Sequence, residues 1–201
     1  MSADREDVAP ALAPPAGRAA AVLVALFEEE GEARVILTRR STTLAFHQGE
    51  VCLPGGTIGP GERELDAALR EAHEEVGLDP AAVEVIGRLD RVVTPTTGFV
   101  LTPFLGVLGR RPVLWAGPAE VEEAFDVPLS ALLDPGVFRE ERWDRPVPDR
   151  PVYFFELERD TVWGVTACIL YRLLQLVTGR TERPEAAPPP GQAGTRPPAR
   201  P

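Results

Sequence analysis

Residues 62–76 restrict the fold of this chain more than any other segment, because they have the periodicity of a helix with two opposed faces. Apolar residues recur there at spacings of three and four, so one face of the helix is apolar and is expected to pack against a hydrophobic core. Gly77 stands where a left-handed C-cap residue would end the helix, and Pro80 follows it. The positions predicted to face the core are Leu65, Leu69, Ala72 and Val76.

The opposite face of this helix carries three carboxylates, Glu71, Glu74 and Glu75, at positions i, i+3 and i+4. Like charges at these spacings repel one another and weaken an isolated helix. Hard divalent cations such as Mg²⁺ or Mn²⁺, which prefer oxygen ligands, would neutralise them. A solvated acidic face is the alternative, and it is the more common explanation for three glutamates taken alone.

Short apolar segments on both sides of this helix predict strands, and two further segments predict helices. The first two strands are joined by a hairpin turn at Gly31, so the early chain does not alternate strand and helix as a parallel sheet requires. The pattern therefore predicts an α/β or α+β sandwich with a mixed sheet between helices. The expected strands are residues 19–27, 34–38, 51–53, 83–88, 99–107 and 151–157, and the expected helices are residues 120–133, interrupted near Pro128, and 162–177.

Size and charge narrow the class of protein. The chain has 201 residues, enough for one well-buried domain. It carries 21 basic against 31 acidic residues, a formal net charge of −10. A chain this acidic is repelled by nucleic-acid backbones, which argues against a nucleic-acid partner. Anionic small molecules are not excluded, because a bound divalent metal inverts the local field.

The two ends of the chain differ in composition from its centre. Residues 1–17 and 181–201 are rich in Ala and Pro, and such segments bury too little apolar surface to offset their ordering entropy. We expect a disordered leader, one domain over residues 18–180 and a disordered Pro-rich tail. The alternative for the tail is a polyproline segment that binds a partner.

Neither a membrane protein nor a secreted one is predicted. No segment reaches the roughly 20 apolar residues of a membrane span, and the acidic first residues are unlike a signal peptide. Cys52 and Cys168 lie in unrelated segments. We therefore expect two reduced, buried thiols in a cytoplasmic protein.

Residues 56–78 contain more than the three glutamates. They match the pattern G-x5-E-x7-R-E-U-x-E-E-x-G-U, in which U is apolar, at every fixed position. The segment resembles the Nudix box, and a chance match in such a chain is on the order of 10⁻⁷. The resemblance reverses the odds between a metal site and a solvated acidic face. The matched positions are Gly56, Glu62, Arg70, Glu71, Ala72, Glu74, Glu75, Gly77 and Leu78.

The resemblance implies an αβα sandwich with a loop–helix–loop catalytic motif that hydrolyses a nucleoside diphosphate linked to another group. It implies that Glu74 and Glu75 are ligands of Mg²⁺ or Mn²⁺, with the Gly56 carbonyl as an additional ligand. Glu71 would be a further ligand or the base that activates water, and bound metal would lower the pKa of that water. Arg70 would orient the glutamates through hydrogen bonds and charge.

Other roles follow from the same resemblance. Glu62 and Gly77 would give structural support to the loop and the helix. In this family an additional glutamate outside the box often completes the metal site. The candidates are Glu120, Glu122 and Glu123, and the alternative for each is a helix-surface residue.

Residues 37–56 resemble the element that marks coenzyme A pyrophosphatases within the Nudix group: LLT-x-RS, an Arg, H-x-G and F-P-G-G. This chain departs from the pattern at two positions. Leu53 keeps the Phe position apolar, whereas Ala45 removes an Arg that would pair with phosphate. Arg39 or Arg40 would replace that contact; the alternative is that both are solvated strand residues. The implied substrate-binding residues are Arg39, Arg40, Ser41, His47 and Gly49.

Two later segments, EVEEAFDVPL from Glu120 and WGVTA from Trp163, extend the resemblance to about residues 18–178. It implies cleavage of coenzyme A or its acyl derivatives to 3′,5′-ADP and 4′-phosphopantetheine. His47 would contact the substrate or pack its loop, and His73 is expected to face solvent. Trp163 is expected to pack the last helix against the sheet.

Two rival functions remain. Ala45 favours another substrate, such as ADP-ribose, a nucleotide sugar, a dinucleoside polyphosphate or an oxidised nucleotide. A nucleotide sensor without catalysis is less favoured, because sensors typically carry a DNA-binding domain or a broken box, and neither is recognisable in this sequence. The expected partner is thus a small-molecule nucleotide derivative, without nucleic acid or membrane, and the sequence leaves a homodimer open.

Overall fold

The computed structural model describes residues 18–44, 47–95, 97–117, 120–145 and 148–179. The expected leader and tail therefore lie outside the described residues, and so does Ala45. In chain order the strands are β1 (Ala19–Glu29), β2 (Glu32–Arg40), β3 (Val51–Cys52), β4 (Gly55–Thr57), β5 (Val83–Arg88), β6 (Val92–Val93), β7 (Val100–Leu108), β8 (Val121–Pro128), β9 (Phe138–Trp143), β10 (Arg150–Glu156) and β11 (Thr161–Trp163). The helices are α1 (Glu64–Val76), α2 (Leu129–Leu133) and α3 (Gly164–Thr178), with a 3₁₀ turn at Pro80–Ala82.

Within the described ranges, eight strands form one mixed sheet with the central order β3-β2-β1-β7-β5. β1 and β7 run parallel, with Ala19 opposite Val100 and Phe27 opposite Leu108. β2 pairs antiparallel with β1, β3 and β8, while β4 adds to β1 and β6 to β7. β9, β10 and β11 form a second, antiparallel sheet. The predicted mixed sheet and hairpin between the first two strands are confirmed.

Alternating residues of β1 separate two apolar cores. Leu23 and Phe27 lie in the core under α1, whereas Val22 and Val24 lie in the core that α3 and the small sheet cover. This alternation is the two-residue period of a strand that is buried on both faces. The order of layers is therefore α1, the mixed sheet, and α3 with the small sheet, which is the αβα sandwich that the sequence predicts.

The buried face of α1 is rotated from the predicted stripe. Leu65 and Leu69 are only half-buried, because alanines take the positions nearest to β1 and β4. The helix also starts at Glu64, two residues later than predicted. One consequence is that a glutamate lies at the buried edge of the helix. The buried residues of α1 are Ala67, Ala68, Ala72, Glu75 and Val76.

The helix predicted over residues 120–133 is wrong. Residues Val121–Pro128 form β8, which pairs with the free edge of β2 so that Phe125 lies opposite Leu37. Val127 belongs to the core with α3, and Ala124 packs on the core under α1. Only α2 is helical. Backbone pairing with β2 and burial on both faces outweigh the local helical pattern.

The sequence also failed to predict β4, β6, β9 and β11. β9 was missed because its sequence, FREERW, is mostly charged. Its Arg139 pairs across the small sheet with Glu156 and lies 3.9 Å from the ring centre of Phe154. Trp163 stacks on the same ring, with the two ring centres 6.2 Å apart. The tryptophan expected to pack α3 on the sheet thus belongs to the aromatic face of the small sheet.

Two further findings concern the helices and the cysteines of the described ranges. No helix in the described ranges has the length and apolarity needed to cross a bilayer. Cys52 and Cys168 are free and half-buried rather than fully buried. Burial of the thiol raises the pKa of Cys52 to about 12 and also raises the pKa of Cys168.

Gly77→Ala is expected to lower the free energy of unfolding by about 2–3 kcal/mol. Gly77 closes α1 with a φ of 75°, and an added Cβ would lie 1.8 Å from the Trp115 indole. The alanine would therefore add a steric conflict to the cost of the left-handed backbone, which urea denaturation measures.

Gly61→Ala is the matched control, because Gly61 has a φ of 76° but no atom near its Cβ position. It should lose only the backbone cost, about 1–2 kcal/mol. Equal losses for the two variants would contradict the packing of Trp115 on the end of α1.

Candidate active site

α1 holds its three glutamates at different depths. The exposed fraction of the side chain is 8% for Glu75, 18% for Glu71 and 56% for Glu74. Burial raises the pKa of Glu75 to about 7 and also raises the pKa of Glu71. A solvated acidic face therefore does not describe this helix, because two of its carboxylates are largely withdrawn from water.

β4 presses two glycines against these carboxylates. The Gly55 amide donates to Glu75 Oε2 at 3.0 Å, and a Cβ on Gly56 would lie 2.5 Å from Glu71 Cδ. A Cβ on Gly55 would also lie 2.4 Å from the carbonyl oxygen of Ala21 on β1. Only glycines allow β4 to pass between β1 and α1 at this distance. The structure thus brings Gly56 and Glu71 together.

Arg70 connects the helix to the loop that precedes it. Its Nη1 donates to Glu71 Oε1 at 2.9 Å and to Glu74 Oε2 at 3.1 Å. Its Nε and Nη2 donate to the two oxygens of Glu62 at 2.8 and 3.1 Å, and Glu62 also accepts the Gly59 amide at 2.7 Å. Two-pronged contacts of this kind fix the orientation of a guanidinium. Arg70 therefore holds the loop, the helix and two of the glutamates in one arrangement.

Arg40, at the end of β2, reaches the same site from the sheet. Its Nη1 lies 3.9 Å from Glu75 Oε1, and its Nη2 donates to Glu120 Oε2 at 3.1 Å. Burial is the main cause of the raised pKa of Glu71 and of Glu75, and the charge of Glu120 adds to both. Within the described residues, the buried Nε of Arg40 has no hydrogen-bond partner. Arg40 thus places a positive charge beside Glu75 and Glu120.

Arg39, the adjacent residue on β2, points to the other face of the sheet, as successive strand residues do. Its guanidinium donates to both carboxylate oxygens of Asp160, at 2.8 and 2.7 Å, and to Glu123. It also lies 5.6 Å from the ring centre of Phe125. Of the two arginines predicted to replace the family Arg, only Arg40 lies beside the glutamates.

β8 separates the three glutamates proposed from the sequence as an extra ligand. Glu120 precedes the strand and faces Arg40, whereas Glu123 is bound to Arg39. Glu122 is exposed at a β-bulge, where the pairing with β2 shifts by one residue. Bulges often redirect side chains next to functional sites, and next to this bulge Glu120 and Glu123 bind different arginines of β2.

The loop after β2 contains the other predicted substrate contacts. The Ser41 amide donates to the Glu120 carbonyl at 2.8 Å, and the Gly49 amide donates to the Arg40 carbonyl at 3.1 Å. His47 is exposed, and its Nδ1 lies 2.6 Å from a carboxylate three residues later. Backbone hydrogen bonds therefore connect Ser41 and Gly49 to Glu120 and Arg40. The hydrogen bond described for the His47 ring lies within its own loop.

Sequence reasoning missed the connection that crosses the C-terminal end of α1. The Gly117 amide donates to the Glu75 carbonyl at 2.8 Å, and the Trp115 amide donates to the Val76 carbonyl at 3.3 Å. The available signal was an aromatic residue and a glycine just before Glu120, outside every predicted element. His73, on the outer side of α1, is exposed as expected.

Residues 17–149 match the family described as NUDIX domain. An uncharacterised Nudix hydrolase designated NudL, from Photorhabdus laumondii, is 38% identical over 144 residues, which cover 71% of this chain and 76% of the relative. Nudix hydrolase 22, chloroplastic, from Arabidopsis thaliana is 39% identical over 169 residues, 80% of this chain and 56% of the relative. Nudix hydrolase 3 from Caenorhabditis elegans is 32% identical over 178 residues, 81% of this chain and 74% of the relative.

Solved structures show the same fold. A MutT/nudix family protein from Enterococcus faecalis has a TM-score of 0.58 at 20% identity and covers 88% of this chain and 67% of its own. RenU, a Nudix hydrolase from M. smegmatis, has a TM-score of 0.56 at 19% identity, over 83% of this chain and 88% of its own. Because the family match includes the whole box and the relatives align over most of the described domain, this chain belongs to the Nudix hydrolase family.

Proposed function

We propose that this protein hydrolyses the pyrophosphate bond of a nucleotide derivative with the help of Mg²⁺ or Mn²⁺. The observation that carries the proposal is the group of Glu71, Glu74 and Glu75 on α1, held by Arg70 against the glycine strand β4. Burial of two of these carboxylates, which costs free energy when they are charged, favours a cation beside them.

The residues present fit a hard divalent cation. As they stand, no three His, Cys, Asp or Glu side chains in the described ranges converge closely enough to hold a metal ion. In this arrangement one nitrogen of Arg70 donates to both Glu71 and Glu74. Glu74 is more than half exposed, so it is free to turn from Arg70 to a cation. The donor atoms are all oxygens, which are the ligands that Mg²⁺ and Mn²⁺ prefer.

Glu74, Glu75, Glu71 and the Gly56 carbonyl would hold the cation, and we add Glu120 from outside the box. When bound, the cation would withdraw charge from the phosphate oxygens and lower the pKa of a coordinated water. Glu71, whose pKa is raised by burial, is suited to accept a proton from the attacking water. Arg70 keeps the glutamates in position for both tasks.

Coenzyme A is the substrate that we propose, with 3′,5′-ADP and 4′-phosphopantetheine or its acyl derivative as products. The support is the upstream sequence element, whose residues Ser41 and Gly49 are bonded to the site through Glu120 and Arg40. The Arg40 guanidinium lies beside Glu75 and Glu120, and its charge would attract an anionic oxygen of the substrate. Arg39 is neutralised by two carboxylates and is therefore not assigned to substrate binding.

We expect the purified protein, supplied with Mg²⁺ or Mn²⁺, to split coenzyme A faster than ADP-ribose, NADH, diadenosine polyphosphates or nucleoside triphosphates. Glu74→Gln should lower kcat at least about 100-fold, because it removes a metal ligand. Chromatographic separation of 3′,5′-ADP from 4′-phosphopantetheine identifies the bond that is cleaved.

Glu122→Gln is the control, since this glutamate is exposed to solvent at the bulge and its replacement should leave the rate unchanged. Faster hydrolysis of another substrate would reject coenzyme A and keep the metal chemistry. Absence of turnover with every substrate and both metals would contradict an enzyme and favour a nucleotide sensor.

Glu75→Gln is expected to stabilise the metal-free protein at pH 8 but not at pH 5. The fold raises the pKa of Glu75 from 4.5 to about 7 through burial. The unfolded chain therefore releases this proton at lower pH than the folded chain does, and the wild type loses stability as the pH rises through that window. The loss, up to about 3 kcal/mol, is absent from the glutamine variant. Urea denaturation in EDTA at several pH values measures it.

With Mn²⁺ added at pH 8, the wild type should become more stable than Glu75→Gln. The cation offsets the buried charge of Glu75, and it binds the glutamine variant more weakly and therefore stabilises it less. Glu74→Gln serves as control, since it removes an exposed carboxylate and should show no such gain in EDTA. Parallel stability curves for wild type and Glu75→Gln across the pH range would contradict a buried, proton-holding Glu75.

A further inference from the structure

The chain between β7 and β8 crosses the C-terminal end of α1, and we call residues 113–117 the strap. The last carbonyls of a helix have no donors within the helix. The strap supplies them, because the Gly117 amide donates to the Glu75 carbonyl at 2.8 Å and the Trp115 amide to the Val76 carbonyl at 3.3 Å. The backbone of a buried glutamate is thus bonded directly to the strap.

Gly117 is the point of closest approach. A Cβ at this position would lie 2.5 Å from the Glu74 carbonyl oxygen and 3.2 Å from the Glu75 Cα. Both atoms are helix backbone, which cannot move aside as a flexible side chain can. Any other residue at position 117 would therefore push the strap and α1 apart.

The same glycine also holds the turn that carries Glu120. Its carbonyl accepts the Glu120 amide at 3.4 Å and the Val121 amide at 3.1 Å, and the Glu120 carbonyl accepts the Ser41 amide at 2.8 Å. Through its N–H and its C=O, Gly117 connects the end of α1 to the start of β8.

We propose that Gly117 is a positioning residue that sets the distance between Glu120 and the α1 glutamates, so that both can reach one cation. The inference rests on the proposed function, since it takes Glu120 as a ligand of that cation. Gly117 itself would touch neither substrate nor metal. Gly117 would act on metal binding indirectly, through its hydrogen bonds to the backbone of Glu75 and of Glu120.

The test is a double-mutant cycle on Mn²⁺ binding, with Gly117→Ala, Glu120→Gln and the double variant. Titration of the metal-free protein, followed by electron paramagnetic resonance of free Mn²⁺, measures affinity without any substrate. Gly117→Ala should weaken Mn²⁺ binding about tenfold in the wild-type background, the size expected for loss of a supporting contact. It should change affinity less than about twofold in the Glu120→Gln background, because the ligand that it positions is already lost.

Gly109→Ala is the matched control, because Gly109 lies in the same connection and no atom lies near its Cβ position. It should bind Mn²⁺ as the wild type does. Trp115→Ala is a second variant for the case in which Gly117→Ala does not fold. It removes the ring that packs on Gly77 and loosens the strap while Gly117 stays in place. A smaller loss of affinity, again dependent on Glu120, is expected.

An equal loss in both backgrounds would overturn the inference, because it would show general damage to α1 rather than the placement of Glu120. Unchanged affinity in Gly117→Ala would overturn it as well. These results leave the proposed function intact, provided that the wild type binds Mn²⁺ and hydrolyses a substrate. If the wild type binds no Mn²⁺, the proposed function and the inference both fail.

Discussion

Small side chains on the inner face of α1 determine how closely the helix packs against β1 and β4. Ala67, Ala68 and Ala72 are completely buried in this contact, and their small side chains let the helix approach the sheet. The approach presses Glu71 and Glu75 against the glycines of β4 and withdraws them from water. The packing that stabilises the helix therefore also creates buried negative charge, which raises the pKa of both carboxylates.

Guanidinium groups compensate much of the acidic charge in the fold. The sequence contains no lysine, so every basic side chain is a planar fork that binds two acceptors at once. Arg39 uses this geometry to join β2 to Asp160 before β11 and to Glu123 on β8. Arg70 does the same between the loop and the helix of the box. Arg40 differs, because its Nε lacks a partner in the described structure and its charge lies beside the buried glutamates.

The sequence predicts the face of α1 that carries the glutamates, because helical spacing is local, but it does not predict their depth. Depth depends on how closely β4 approaches, a contact between distant parts of the chain. The error at β8 has a similar cause. Val121, Phe125 and Leu129 recur every four residues, as apolar residues do in a helix. Residues Val121–Pro128 nevertheless form a strand, because they pair with β2. The separation of Glu120 from Glu123 follows from that strand and its bulge, so helical periodicity could not reveal it.

The alternation along β2 was, by contrast, within reach of the sequence. A strand that ends in two arginines must direct one to each face, so Arg39 and Arg40 could not both have served the same phosphate. The mixed sheet was predicted correctly because short apolar segments and a glycine turn are local signals. The sequence does not predict which distant residues contact the ends of the strands and helices. The strap over the C-terminal end of α1 is one such contact.

Charge also connects the proposed chemistry to the fold. Without a cation, the site contains four carboxylates but only two arginines, Arg40 and Arg70, among the described contacts. The whole chain has a net charge of −10. The four carboxylates are those of Glu71, Glu74, Glu75 and Glu120. A pyrophosphate brought to such a site would meet repulsion at close range, where Coulomb energies are large. The proposed cation would thus be needed to bind the substrate as well as to activate water. Since the same cation would offset the burial of Glu75, metal binding, substrate binding and the stability of α1 would be coupled to one another once the cation is bound.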